Sequence, residues 1–510
     1  MVRYLDSSSE KKESKFSFFT YFLIFIISWI VFSYIFPHKT NKSESFNGSE
    51  KIEVSSIKKT YFENDKISFE VSSGQISNII LKDYEESKKS EKKVILVKNG
   101  NFVEFGFTGN IQVPDINTFW NCKNTNNNIW CSYKNKDGVL FERLITSDNY
   151  LITIKDKVIN KTKKDILISN YSSIVGNLDL NNSVNSNVSV GAIAYINEDL
   201  EVKNLKKLDD KQYVYHTTKG FIGFLNQYFG VITSTNSLDQ TINMKKIGDK
   251  YKVDTISPNK SLKAGNSQEF ITNIYAGPRD NSTLSMVEKN ISGIDSIVDY
   301  GWFWFLSYPM LLILNLLNNL VGSYGIAIIL FTIILRILIL PLTRKSYKSM
   351  ANMQKMQPEM EKIQKLYAGD KMRMQMELMK LYQSNKTSPM SGCLPMLLQI
   401  PIFFALYKAL LISVPMRHAE FLWIMDLSSM DKFFILPILM GLTIWWQQKV
   451  QSNQNTSSLS DIAKSTQRIT KWMPVIFTIM FSMMPAGLVL YWTVSNLCGI
   501  AQIYLIKKVK

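Results

Sequence analysis

Hydrophobic and polar positions follow three rhythms along the 510 residues. From about Thr60 to about Ser285 they alternate with period two, as at Ile67, Phe69 and Val71 in KISFEVS, and again in KVILVK, FVEFGF and YLITIKDKVI. Such alternation predicts strands with one buried face. Turn signals recur at Ser73-Gly74, Asn99-Gly100 and Asp137-Gly138, so the region reads as many short strands, an antiparallel β-sandwich. From Val298 onward apolar runs of helical length take over. The third rhythm lies between two of those runs. In Arg344–Ser388, Met350, Met353, Met356, Met360 and Ile363 fall at helical spacing, Ala368-Gly369-Asp370 is a turn, and the pattern resumes at Lys371. That predicts a helical hairpin.

Apolar runs of roughly 20 residues match the ~30 Å hydrocarbon layer. The first follows a polar tail, 1–15, and occupies 16–36. It is too long for a signal-peptide core and no small-x-small cleavage site follows, so it reads as an uncleaved anchor. The β-sandwich domain with its linker fills 37–296. The aromatic cluster of VDYGWFWFLSYPM opens a helix over 297–320. Aromatic rings are enriched at membrane–water interfaces, and Asn315, Asn318 and Asn319 interrupt the run, so this helix is expected to lie in the interface. Five further spans are expected at 326–343, 394–414, 433–448, 471–485 and 487–506. The fold class is thus an α-helical polytopic membrane protein, with six transmembrane helices, five of them forming the core, and a large exported antiparallel β-sandwich domain.

Charge orients these spans. The net charge is +17, and the chain from Gly301 onward holds 21 Lys+Arg against 8 Asp+Glu, or +13. The connection 344–388 has ten basic residues, and 449–470 with Lys471 has four; the tail 507–510 has three. The alternate connections, 415–432 and 485–487, have two and none. Basic connections face the cytoplasm. Both termini are therefore expected there, with the β-domain and 415–432 on the outer side. The same surplus attracts anionic lipid. No soluble basic groove with interleaved aromatics suggests a nucleic-acid partner.

Candidate chemistry is sparse. No Cys/His cluster suggests a metal, and no GxxxxGK[ST] loop suggests a nucleotide. No catalytic constellation stands out, and an enzyme is not expected. The β-region reads as a scaffold or as a binding cleft for sugar or peptide. Cys122 and Cys131 flank a polar run and form a disulfide candidate in an exported domain, though free buried thiols are also common.

The anomaly is Arg336. It stands in IAIILFTIILRILILPL, Ile326–Leu342. At 1.5 Å per residue it lies about 12 Å from Arg344, near mid-membrane, where a charge costs at least about 2.5 kcal/mol. No Asp or Glu occurs from Tyr300 to Pro358, and residues 462–510 contain none. A counter-charge is thus missing from the spans. Either Arg336 snorkels, a long reach, or it lines a hydrated cavity that accepts a ligand's anions. Thr332, Gln399, Tyr491, Trp492, Ser495 and Asn496 are candidates for the lining, although each is individually a common helix–helix hydrogen-bonding residue. Lys408 is a second membrane cation within reach of the outer interface. The methionine stripe serves either as the hairpin's own core or as an adaptable surface for apolar partners. A secondary transporter or channel for an anionic solute is the alternative class, but no internal repeat pairs the spans.

RILILPLT, MQKMQPEM in the hairpin, GCLPMLLQIPIFFALY, ILPILMG and PAGLVLYWTVSN together resemble the YidC/Oxa/Alb family. VDYGWFWF and the exported domain are similar to its Gram-negative branch. The resemblance implies a membrane protein insertase and folding chaperone of the bacterial inner membrane, without cofactors. It implies a hydrophilic groove open to the cytoplasm and lipid, with Arg336 as its positive charge and Thr332 as a substrate contact. The aromatic pair is Tyr491-Trp492; some members carry Tyr at the second position. Implied partners are nascent membrane proteins, the Sec translocon, and the ribosome or signal-recognition targeting factors. These last would meet the hairpin at Met353, Met356, Met360, Met372 and Met376.

Overall fold

The computed structural model describes residues 59–87, 91–98, 100–125, 128–176, 190–209, 211–385, 394–451 and 461–508. The expected tail 1–15 and anchor 16–36 lie outside the described residues.

Between Thr60 and Pro278 the chain forms two antiparallel sheets, one of ten strands and one of nine among the described residues. The period-two segments become strands with alternating burial: Ile67–Ser72 places Ile67, Phe69 and Val71 inward. Phe105, Ile152, Phe224 and Ile274, from both sheets, fill a shared core. The strand Ile166–Gly176 is central to the first sheet. It pairs with Phe102–Gly109 on one side and with Lys250–Ile256 on the other. Cys122 and Cys131 face one another in a hairpin and are joined by a disulfide, with Cα atoms 4.1 Å apart.

Arg143 is a buried charge in this region. It forms a two-pronged pair with Asp156, at 2.6 and 3.0 Å. Its guanidinium also lies 4.6 Å from the ring centres of both Phe105 and Trp120. The flat group thus gains a carboxylate partner in its plane and aromatic faces nearby, which offsets its desolvation.

Helices follow the sheets. The first, α1 (Asn281–Val287), begins at Asp280, whose carboxylate accepts from Ser282 and Thr283 N–H groups. Next comes α2 (Trp304–Val321), which stops at Gly322, where φ is +71°. Then come α3 (Tyr324–Leu366) and α4 (Lys371–Ser384), followed by α5 (Leu394–Ile412) and α6 (Ile435–Gln451). Last are α7 (Asp461–Phe481) and α8 (Ala486–Lys508).

Two boundaries differ from expectation. The span at 326–343 and the first arm of the hairpin are a single helix of 43 residues, which passes through Pro341 and Pro358. Thr343 Oγ1 donates to Leu340 O at 2.9 Å and to Ile339 O at 3.3 Å. These bonds support the turn that Pro341 weakens by lacking an N–H. The connection expected at 449–470 is also partly helical: α6 runs on to Gln451, and α7 starts at Asp461. The turn after α3 and the start of α4 are fixed by Asp370, whose side chain accepts from Arg373 N–H at 3.0 Å.

Among the described residues, three helical stretches can cross a membrane by length and composition: Trp304–Val321, Tyr324–Ser349 and Ala486–Ile506. Leu397–Ile412 and Lys471–Phe481 are apolar but shorter. The first of the three is the helix expected to be interfacial, so composition alone does not separate the two placements.

The sheets and the helices are in direct contact. Ile412 and Val414, at the end of α5, belong to the same buried cluster as the sandwich core. Gln227 Nε2 donates to Leu411 O at 3.1 Å, and the Tyr228 hydroxyl bonds Ser428 Oγ at 3.2 Å. Arg417 donates to Glu86 O at 2.9 Å and lies over the rings of Tyr228 and Phe229. Nearby, Arg279 is fully buried and donates to Ile297 O and Asn226 O. Burial pulls its pKa down to about 10, against the opposing pull of Asp299.

Candidate functional site

Arg336 sits on α3 facing α8. Its Nε donates to Ser495 Oγ at 2.8 Å, and the guanidinium is half-buried. Ion pairs among the described residues from 301 onward include Lys380–Glu377, Lys408–Asp299 and His418–Asp426. None involves Arg336, so among the described residues the cation is held by a neutral hydroxyl.

The facing stripe of α8 is built for close approach. Tyr491, Ser495, Gly499 and Gln502 recur at spacings of four and three, which place them on one face. A Cβ on Gly499 would lie 3.0 Å from Gln447 Nε2 and 3.9 Å from an Arg336 guanidinium nitrogen. The glycine therefore leaves room beside the charge. Gln502 Nε2 donates to the backbone carbonyl of Arg336 at 3.2 Å. One turn along, Asn496 Nδ2 donates to Thr443 Oγ1 of α6 at 3.0 Å.

The remaining expected residues fall into three groups. Gln399 of α5 and Tyr491 of α8 meet, Nε2 to hydroxyl, at 2.6 Å, with Tyr491 almost fully buried. Trp492 is half-buried among aromatic rings, with centres 5.6 Å from Phe403, 4.9 Å from Phe481 and 6.2 Å from Phe477. Thr332 lies on α3 one turn before Arg336. It is wholly buried and donates to Ile328 O of its own helix at 2.6 Å. Its short side chain satisfies itself locally, whereas the longer Arg336 reaches across.

The hairpin methionines divide. Met356 is buried and Met360 half-buried, with Met360 Sδ 3.8 Å from the Tyr382 hydroxyl of α4. Met372 and Met376 are exposed, as is Met379. They share one face of α4 at spacings of four and three. The Met353 side chain lies outside the described residues.

Sequence reasoning left Lys408 without a role. Its ammonium is 2.7 Å from Asp299 Oδ2. No local pattern links two residues 109 positions apart. Gln447 and Gln502 were also missed; the spacing of Tyr491, Ser495, Gly499 and Gln502 was the available signal.

Comparison with known proteins places these residues in a family. The family model described as 60Kd inner membrane protein matches residues 316–510, and that described as YidC periplasmic domain matches residues 61–313. A membrane protein insertase YidC of Magnetococcus marinus is 36% identical over 413 residues, covering 78% of this chain and 72% of that one. The membrane protein insertase YidC of Rickettsia typhi is 32% identical over 481 residues, covering 85% and 84%. Among solved structures, an active YidC insertase with its first transmembrane domain resolved aligns with 88% of this chain and 92% of that one, at 18% identity and a TM-score of 0.39. The chain belongs to the YidC family of inner-membrane proteins with a periplasmic domain.

Proposed function

We propose that this chain is a membrane protein insertase and folding chaperone of the bacterial inner membrane, and that Arg336 is the positive charge of a groove open to the cytoplasm. The observation that carries the reading is the Arg336–Ser495 contact: a membrane cation held by a hydroxyl, with no carboxylate partner among the described residues. A half-buried guanidinium held this way keeps donors free for a visiting anion.

The hydrophilic tail of an incoming protein enters between α3 and α8. Its acidic residues are drawn to Arg336, where the low dielectric strengthens the Coulomb attraction. The half-buried Gln399 offers its carbonyl oxygen along the way. The apolar segment that follows leaves sideways into lipid, driven by its transfer from water. The short apolar helices of α5 and α7 locally thin the hydrocarbon layer, and this shortens the polar path.

Six spans with both termini cytoplasmic and the β-domain periplasmic follow from the basic connections. The α2 helix lies in the outer interface. Only Ser307, Met310 and Leu314 are buried along it, a single stripe at helical spacing, and its polar Asn315, Asn318 and Asn319 suit headgroups better than hydrocarbon. Nascent chains, the ribosome or targeting factors meet the exposed methionines of α4, and the work is done alone or beside the Sec translocon.

Photocrosslinking tests this. A photoreactive residue at Gln399 or at Trp492 should form adducts with a ribosome-held membrane protein. Absence of adducts at both sites, with normal expression, overturns the insertase reading.

A further inference from the structure

A cavity of about 540 Å³ opens where the end of the β-region meets the start of α2. Its walls include three aromatic rings. Trp304 and Tyr308 are one turn apart and share a face of α2. Tyr300 meets Tyr308 edge-on, with ring centres 5.4 Å apart and planes at 78°. The Tyr300 hydroxyl is buried and has no hydrogen-bond partner among the described residues.

Two carboxylates share the lining. Asp299 is paired with Lys408 at 2.7 Å and feels the buried Arg279 as well. Asp295 is exposed and takes part in no ion pair among the described residues. Lys408 and Arg279 thus address Asp299 and leave the charge of Asp295 uncompensated. At Gly301, where φ is +72°, a Cβ would come within 3.1 Å of the Lys408 stem. Glycine lets the chain close over that lysine without displacing its stem, beside the Lys408–Asp299 pair.

Aromatic faces beside an uncompensated carboxylate are the chemistry of ammonium recognition. We propose that this cavity holds an alkylammonium group, and that the group is the headgroup amine of a zwitterionic lipid. The lipid source is favoured by what lies beside the cavity. Trp304, Phe305, Leu312, Leu316 and Leu320 are exposed along α2, and they give acyl chains an apolar flank to lie on. A cavity of this size accommodates a headgroup with its phosphate. The lipid source rests on the interfacial placement of α2; the ammonium site does not.

The test is native mass spectrometry of the full chain released from detergent, with palmitoyl-oleoyl phosphatidylethanolamine or the matching phosphatidylglycerol added. The ethanolamine lipid should be retained about fivefold over the glycerol lipid, the size of effect expected for one aromatic-and-carboxylate ammonium contact. Asp295→Asn, an exposed and nearly isosteric change, should abolish that preference, and Trp304→Leu should weaken it. Equal retention of the two lipids, or a preference unchanged in Asp295→Asn, overturns the proposal. A soluble arm uses phosphoethanolamine followed by calorimetry. Binding that Asp295→Asn removes, with no lipid preference, keeps the ammonium site and overturns the lipid source. These readouts are independent of insertion, so failure of the insertase reading would leave them standing.

Discussion

A guanidinium in mid-membrane costs at least about 2.5 kcal/mol, while a hydrogen bond to a charged group contributes about 1.5–3 kcal/mol. At that depth the Ser495 contact would roughly cancel the cost of Arg336 without neutralising its charge. Arg336→Ala should reduce insertion of a substrate with an acidic translocated tail about tenfold more than that of its neutral twin, as loss of a Coulomb contact of about 1.4 kcal/mol would. Paired insertion assays in proteoliposomes measure this, and equal losses count against electrostatic capture. Ser495→Ala keeps the charge and should keep the preference. The Arg143–Asp156 pair behaves differently because both partners are buried. Asp156→Asn strands the arginine and should cost about 3–5 kcal/mol, whereas Arg143→Met with Asp156→Leu should recover much of it. The urea concentration at which protease cuts the β-region of the full chain reports both. Arg336 and the lack of an acid in its spans were legible in the sequence, because composition along a span is local information. The burial of Thr332 was not. Spacing assigns it to the Arg336 side of α3, but a threonine on that side can turn its hydroxyl to its own backbone.

At the scale of elements, strands announced themselves by alternation, but their partners did not. Ile166–Gly176 pairs with strands about 65 and 80 positions away in sequence, and nothing in its own residues names them. Helix ends were legible where a side chain makes the cap, as at Asp370. They were not legible where the expected span 326–343 runs straight on into the hairpin, in a helix that passes Pro341 with its neighbouring turn bonded by Thr343. The cap can be tested. Asp370→Ala should cost α4 about 1 kcal/mol and speed amide exchange over Lys371–Met374 about fivefold, while α3 is unaffected. Unchanged exchange would show that packing, not the cap, holds the start of α4.

At the scale of the whole molecule, bonds that join the β-region to the helical part include, among the described residues, Gln227 to Leu411, Tyr228 to Ser428 and Arg417 to Glu86. Burial of Arg417 pulls its pKa below the usual arginine value, so its charge is partly stripped of water and depends on these partners. Arg417→Ala combined with Tyr228→Phe should broaden the distance distribution between spin labels at Val214 and Met425. An unchanged distribution would show that the apolar contact at Ile412 and Val414 suffices. The 43-residue α3 has a mechanical meaning. At 1.5 Å per residue, Leu366 lies about 37 Å beyond Pro341, so a pivot of about 5° at that proline swings the far end by about 3 Å. If nascent cargo rests on the methionine arm as proposed above, an α3 that turns as one body about Pro341 would convert a push outside the membrane into a tilt at Arg336.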